Sequence, residues 1–263
     1  MSVEPLRDPP GTMPVGFVSH GAPTLALDMD KGADLARWAA DLPTPTAVLV
    51  VSAHWEATPI VVGAPQRTRI AHDFHGFPAA LYRLDYPAPG APELAARLAR
   101  ELDARIDPTR GWDHGVWVPL RHMYASAEIP VVQVSLPSQS TPARLFEIGR
   151  SIAGLRDEHV LILASGGMVH NLRALTAEDR HAPPSWAIEF ESWVREVLLA
   201  RDWDRLIGFR DGAPSLRQAH PTLEHFLPLL FAAGAAADGP RRIRFPIEGF
   251  EFGSLSRLTV QFD

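Results

Sequence analysis

Four short runs of apolar, largely β-branched residues constrain this chain more than any other feature. They are Met13–Ser19 (MPVGFVS), Thr46–Ala53 (TAVLVVSA), Ile129–Ser135 (IPVVQVS) and Val160–Ser165 (VLILAS). Each is too short for an ordinary helix, and each is apolar at nearly every position rather than at alternate ones. Strands of that kind are covered on both faces, which is the condition of a parallel sheet sandwiched by helices. Helical patterns lie where such a fold needs them, at Asp34–Leu42, Ala91–Leu102, Val116–Tyr124, Pro142–Leu155, Ser185–Ala200 and Thr222–Ala233. The expected fold is therefore α/β, with a central, mostly parallel (mixed) sheet flanked by helices on both faces. Pro59–Gly63, Ile243–Phe245 and Leu258–Phe262 read as shorter strands, and the alternation of the last predicts an antiparallel edge. Arg67–Phe77 reads as a loop. Ser185 and Thr222 are the expected N-caps of their helices, and Pro228 is expected to kink the second. No linker or internal repeat appears, so residues 1–263 are expected to form a single catalytic domain.

Composition removes several classes of function. The chain has no cysteine, which excludes disulfides, Fe–S clusters, thiolate zinc sites and cysteine nucleophiles. Its formal net charge is -6 with no run of Lys and Arg, so nucleic acid is not an expected partner. No apolar run reaches the roughly 18 residues of a membrane span, and Met1–Pro14 lacks the apolar core of a secretory leader. The expectation is a cytoplasmic protein without membrane attachment. Eleven histidines remain. A transition metal bound here would have to take imidazole and carboxylate ligands.

The histidines are informative by position. His20 and His54 directly follow the carboxyl ends of predicted buried strands, and His170 follows the fourth run after Gly166-Gly167. In open α/β sheets the ligand crevice lies beyond those ends, so residues distant in sequence share one rim. Two histidines and one further ligand on one rim would leave positions open for substrate. The two glycines let backbone approach closely before His170, whose imidazole is the default acid/base group near neutral pH. This loop lacks both the dinucleotide fingerprint and a phosphate-loop lysine. His114 sits in Gly111-Trp112-Asp113-His114-Gly115, either a plain turn before a helix or a turn that aims the imidazole, with Asp113 as a possible orienting group. His225 falls off the apolar stripe Leu223, Phe226, Leu227, Leu230, as either a site residue or a surface histidine. Its neighbour Glu224 would complete the usual two-histidine, one-carboxylate triad, which general chemistry favours, whereas the offset from the stripe favours His225. His72 and His75 are expected at the cavity mouth; His122, His159 and His181 read as ordinary surface or packing residues. No Gly-x-Ser-x-Gly elbow indicates a serine hydrolase.

Taken together, these blocks resemble the class III extradiol ring-cleaving dioxygenases, in the branch of 4,5-DOPA dioxygenase-like proteins. The matching stretches are Ser19-His20-Gly21-Ala22-Pro23, Ser52-Ala53-His54-Trp55, His72-Asp73-Phe74 with Gly76-Phe77-Pro78, Tyr86-Pro87-Ala88-Pro89-Gly90, Asp113-His114-Gly115, Val169-His170-Asn171-Leu172, and Pro221-Thr222 with Glu224-His225. Seven ordered blocks run from about Pro14 to the last strand. The resemblance implies a metal held by His20, His54 and His225, with Fe(II) as the working ion and zinc expected in the site as purified. It also implies His170 as acid/base and His114 as a contact to substrate or oxygen, with a small catechol and O2 as partners. Ser19 and Gly167 depart from the residues many members carry there, Gly and Asn respectively. Two rival readings use the same residues: a zinc-dependent hydrolase, and a non-catalytic metal-binding scaffold protein.

Overall fold

A computed structural model describes residues 11–137, 139–176, 182–239 and 242–263. His181 and the first ten residues of the chain lie outside the described residues. The four apolar runs form β1 (Val15–Ser19), β2 (Ala47–Glu56), β5 (Val131–Leu136) and β6 (Val160–Gly166). Shorter strands are β3 (Val61–Val62), β4 (Arg105–Ile106), β7 (Ile243–Ile247) and β10 (Thr259–Phe262). These eight make one sheet in the order β4-β3-β5-β2-β6-β1-β10-β7. The pairs β5/β2, β2/β6 and β6/β1 are parallel, whereas β1/β10 and β10/β7 are antiparallel. Thus β10 is antiparallel but not an edge. It is buried at all four positions, and the outer place belongs to β7. Its alternating pattern reflects Thr259 and Gln261, which are buried rather than solvated, with Gln261 accepting the Trp38 indole N–H at 2.9 Å.

Alternate strand residues serve two cores. Phe17, Leu49, Val51, Ile162 and Ala164 pack with the helices α4 (Pro142–Ser151), α5 (Ser185–Ala200) and α9 (Leu227–Ala235). Val18, Val48, Val50, Leu161 and Leu163 pack on the other side against α1 (Met29–Ala40) and α3 (His114–Met123). This two-sided burial is why the runs are apolar at most positions. Helix α2 (Pro92–Glu101) covers the β3/β4 end, and short turns α6 (Trp203–Ile207), α7 (Phe209–Gly212) and α8 (Leu216–Ala219) link α5 to α9. A small hairpin, β8 (Phe250–Glu251) and β9 (Leu255–Ser256), stands apart from the main sheet. No described helix is long and apolar enough to cross a membrane.

Several helix starts differ from the sequence reading. Helix α1 begins at Met29, because Asp28 accepts the Lys31 N–H and caps it. Helix α5 starts at Ser185 itself, with Pro184 in the cap position and no side-chain cap. Helix α9 starts only at Leu227, so Thr222 caps nothing and Pro228 falls in the first turn. A proline there costs no hydrogen bond, since that N–H is unpaired in any helix. The helix proline that is interior is Pro119 of α3.

Helices α4 and α9 cross at van der Waals distance through glycines. A Cβ on Gly149 would fall on the Phe231 carbonyl oxygen, and one on Gly234 on the Phe146 carbonyl oxygen. Gly149→Ala should therefore destabilise the protein by about 1–3 kcal/mol despite a gain in helix propensity. Gly154→Ala, where a Cβ meets nothing, should stay within about 0.5 kcal/mol of wild type. Urea denaturation of the two variants checks the contrast, and equal midpoints would contradict the crossing.

Candidate metal centre and active site

Three adjacent parallel strands, β2, β6 and β1, end at one edge of the sheet, and the site is built on those ends. His20 is the first residue after β1, and its N–H donates to the Gly166 carbonyl at 3.0 Å. Gly21 then turns the chain away at φ +67°, a conformation that favours glycine. His54 lies where the β2/β5 register breaks between Ser52 and Glu56. Its N–H donates to Ser52 Oγ at 3.2 Å, so the strand kinks and presents the imidazole at the edge. The third contributor comes from the turn before α9. Gly167 N–H donates to the His225 carbonyl at 3.0 Å, and a Cβ on Gly166 would fall on that same oxygen. The glycine pair after β6 thus admits the backbone that carries His225.

His20, His54 and His225 offer ring nitrogens that all lie within 4.8 Å of one another. The outer nitrogens of His20 and His225 have partners that fix the proton. Ser165 Oγ donates to the Gly115 carbonyl at 2.5 Å, so it accepts from His20 Nδ1 at 2.9 Å. Glu224 Oε1 lies 3.0 Å from His225 Nδ1. Burial would raise the Glu224 carboxyl, but the His225 ring, its own backbone N–H and the Thr222 hydroxyl together outweigh this and hold it down to about 2. It is therefore an acceptor, and His225 carries its proton on Nδ1. Each assignment leaves Nε2 with a lone pair. His20 Nε2 stands 3.0 Å from His54 Nε2, and His225 Nε2 is buried without a hydrogen-bond partner.

Two further histidines complete the cavity. His170 stacks on His225 with ring centroids 3.4 Å apart and planes at 8°. Its N–H donates to the Ala219 carbonyl at 2.9 Å. His114, at the start of α3, lies against His54 at 3.9 Å between centroids. Its orienting carboxylate is Asp73, not Asp113. Asp73 accepts the His114 backbone N–H and meets its Nδ1, both at 3.0 Å, and sits 3.8 Å from His54 Nδ1. Asp113 is fully buried behind the site, where it accepts from Ser52 Oγ at 2.6 Å and from Arg110 at 3.2 Å. The cavity of about 670 Å³ is lined by all five of these histidines. The 67–77 loop lines it with Phe74 and Phe77 rather than His72 or His75. His72 instead packs 5.5 Å from the Tyr82 ring. His220 is buried, and its Nε2 meets the Met168 carbonyl at 2.9 Å, which pins the loop leading to His170. His122 packs over Gly32 and meets the Leu25 carbonyl at 2.8 Å.

Sequence reasoning did not assign Asp73, Ser165 or the fixed role of Glu224. In the sequence Asp73 is one position of the His72-Asp73-Phe74 block, and its contact with His114 spans 41 residues. A helical offset predicts the direction of His225, but the residue lies in a turn, and its aim comes from Glu224 and the Gly166-Gly167 approach.

What fold and site define is an α/β protein with a histidine-lined cavity at the carboxyl edge of its sheet. The chain belongs to the family described as the catalytic LigB subunit of aromatic ring-opening dioxygenase, whose model matches residues 17–258. It is 42% identical to the 4,5-DOPA dioxygenase extradiol of Escherichia coli K12, over 95% of this chain and 94% of that one. It is 39% identical to the protein of the same name from Beta vulgaris, over 86% and 87%. A crystal structure of an uncharacterized Escherichia coli K12 protein superposes with a TM-score of 0.79 at 36% identity, covering 95% of this chain and 100% of that one.

Burial, then the neighbouring imidazoles, holds His20 well below the usual histidine range. Burial, followed by His114 and His225, lowers His54 to about 2 against the opposing pull of Asp73. Burial, followed by His225 and His220, lowers His170 to about 3. A folded pKa below the unfolded value of about 6.5 means that the unfolded chain binds more protons in between, so stability rises with pH. The metal-free protein should therefore lose urea resistance steadily from about pH 7 to about pH 5. The His20→Asn/His54→Asn variant should show a flatter slope over the same window, and equal slopes would contradict neutral burial.

Proposed function

We propose that this protein is a non-haem Fe(II)-dependent extradiol dioxygenase that opens the ring of a catechol-type substrate with O2. The observation that carries the reading is the convergence of three imidazole nitrogens in the cavity. One proton shared between His20 Nε2 and His54 Nε2 would leave the buried His225 Nε2 bare. A divalent cation satisfies all three, so the donor set fits a metal held by His20, His54 and His225. When bound, Fe(II) supplies an anchor for the diol and a one-electron path between ring and oxygen, which d¹⁰ zinc lacks.

The chain's own residues divide the remaining tasks. Glu224, Ser165 and the backbone of the Gly166-Gly167 turn orient the ligand rings, as outer partners of metal-bound histidines generally do. His170, held neutral by burial, has a free lone pair near pH 7 and can take a proton from a catechol hydroxyl. The same group can return that proton to a leaving oxygen later. His114 has its Nδ1 engaged by Asp73, so Nε2 is the nitrogen available to substrate or oxygen. Phe74, Phe77 and Leu172 give the aromatic ring an apolar wall. A zinc hydrolase or a scaffold would use the same ligands, but neither accounts for family membership among ring-opening dioxygenases.

Three measurements test the reading. Metal-stripped protein refilled anaerobically should consume oxygen with a catechol only after Fe(II), and not after Zn(II). Oxygen-independent ester or amide cleavage by the zinc form would favour the hydrolase instead. In equilibrium dialysis, His225→Gln should lose the stoichiometric ion, whereas Glu224→Gln should keep it with affinity lower by about 10–100-fold. The reverse pattern would make Glu224 the ligand. His170→Ala should retain the metal while kcat drops by about 10²- to 10⁴-fold. Loss of the ion in that variant would make His170 a ligand.

A further inference from the structure

Asp113 occupies a position that it does not use in the ordinary way. It is the N-cap residue of α3, where an aspartate normally accepts a backbone N–H from the first helical turn. Its side chain makes no such bond, and the His114 N–H goes to Asp73 instead, at 3.0 Å. The Asp113 carboxylate is fully buried behind the site. There Oδ1 accepts from the Ser52 hydroxyl at 2.6 Å, while Oδ2 accepts from Gln133 Nε2 at 2.5 Å and from Arg110 at 3.2 Å. Supplying these donors has a cost, because Gln133 Oε1 and Arg110 Nε are left buried without hydrogen-bond partners. A buried carboxylate that forgoes its helix cap to gather three donors has its task outside α3.

Two of those three donors also hold His54. Ser52 Oγ accepts the His54 N–H at 3.2 Å, and Arg110 donates to the His54 carbonyl at 3.2 Å. The Arg110 guanidinium lies over the ring of the next residue, Trp55, 4.9 Å from its centroid. Both ends of the His54 backbone are therefore held, at the point where the β2/β5 register breaks. The direction of the bonds matters. A carboxylate only accepts, so Ser52 must donate to Asp113, and its lone pairs are left for the His54 N–H. Gly115 allows the close approach: a Cβ there would fall on Ser52 Oγ and come within 3.2 Å of both Asp113 Oδ1 and His20 Nδ1. The Gly115 carbonyl accepts from Ser165, which is the partner of His20 Nδ1. The first turn of α3 thus braces His54 on one side and His20 on the other.

We infer that Asp113 is a positioning residue for the metal centre. By fixing the polarity of Ser52 and the place of Arg110, it holds the His54 backbone and, with it, the approach of the His54 and His20 ring nitrogens. Asp113 itself touches neither metal nor substrate. This rests on the proposed reading of His54 as a metal ligand.

Asp113→Asn keeps the shape and changes the polarity. Its amide oxygen would stay with the two donors now at Oδ2, which turns the NH2 toward Ser52 Oγ. Ser52 would then accept from residue 113 and lose the acceptor that orients its own proton away from the His54 N–H. Co(II) is the probe, because its visible bands report ligand geometry and its uptake needs no turnover. In titrations of the metal-stripped full chain, Asp113→Asn should bind Co(II) about 10- to 100-fold more weakly, with altered bands. Ser52→Ala should weaken binding as well. The double variant should lose little more than the weaker single variant, since both changes act through one hydrogen bond. Urea midpoints of the metal-free proteins separate this from a merely structural role. A lowered midpoint with wild-type affinity and bands in Asp113→Asn overturns the inference, and so do losses that add in full in the double variant. If Asp113→Asn does not fold, Ser52→Ala decides: weakened binding with altered bands supports the role, and wild-type affinity and bands overturn it. A wild type that takes up Co(II) beside an unchanged Asp113→Asn leaves the metal centre standing and removes only the role of Asp113. A wild type that takes up no Co(II) sinks the metal centre and this role with it.

Discussion

The close approach of the Gly166-Gly167 backbone to the carbonyl of His225 is the contact on which the site depends. It joins the end of β6 to the turn before α9 by a 3.0 Å hydrogen bond, with no room for a Cβ at Gly166. Through it one polypeptide segment sets two rings at once. His225 is aimed at His20 and His54, and His170 is stacked against His225. A side chain at Gly166 would move the α9 turn outward and open the nitrogen cluster, without altering any histidine.

Around that contact the protein uses its buried polar groups to set imidazole tautomers. Glu224, Ser165 and Asp73 each engage an Nδ1, on His225, His20 and His114 respectively. All three arrangements free Nε2 for the interior of the cavity. A buried polar group without a partner is costly, and of the several such atoms among the described residues His225 Nε2 is the one on a residue that lines the cavity. It marks the place where the protein supplies a lone pair for something it does not itself contain.

Much of this was legible in the chain. The alternation of apolar runs with amphipathic segments determined an α/β sheet covered on both faces, because burial on both sides favours apolar residues along most of β2 and β6. The parallel-sheet rule then put His20, His54 and His170 on one rim. The absence of cysteine restricted any metal site to imidazole and carboxylate. Ordered motifs pointed to the ring-cleaving family.

Tertiary structure decided the rest, for reasons no local pattern carries. Whether Glu224 or His225 faces the other histidines depends on a turn, since α9 starts at Leu227 and helical periodicity does not apply to them. The partner of His114 is Asp73, 41 residues away, rather than its neighbour Asp113, which Ser52 and Arg110 hold behind the sheet edge. The place of β10 inside the sheet follows from β7 pairing beyond it, which its alternating pattern could not reveal. The sequence alone thus determined which chemistry was available and on which edge it would gather. Packing between distant segments decided which nitrogen of each ring faces inward, because a tautomer is set by whatever the other nitrogen touches.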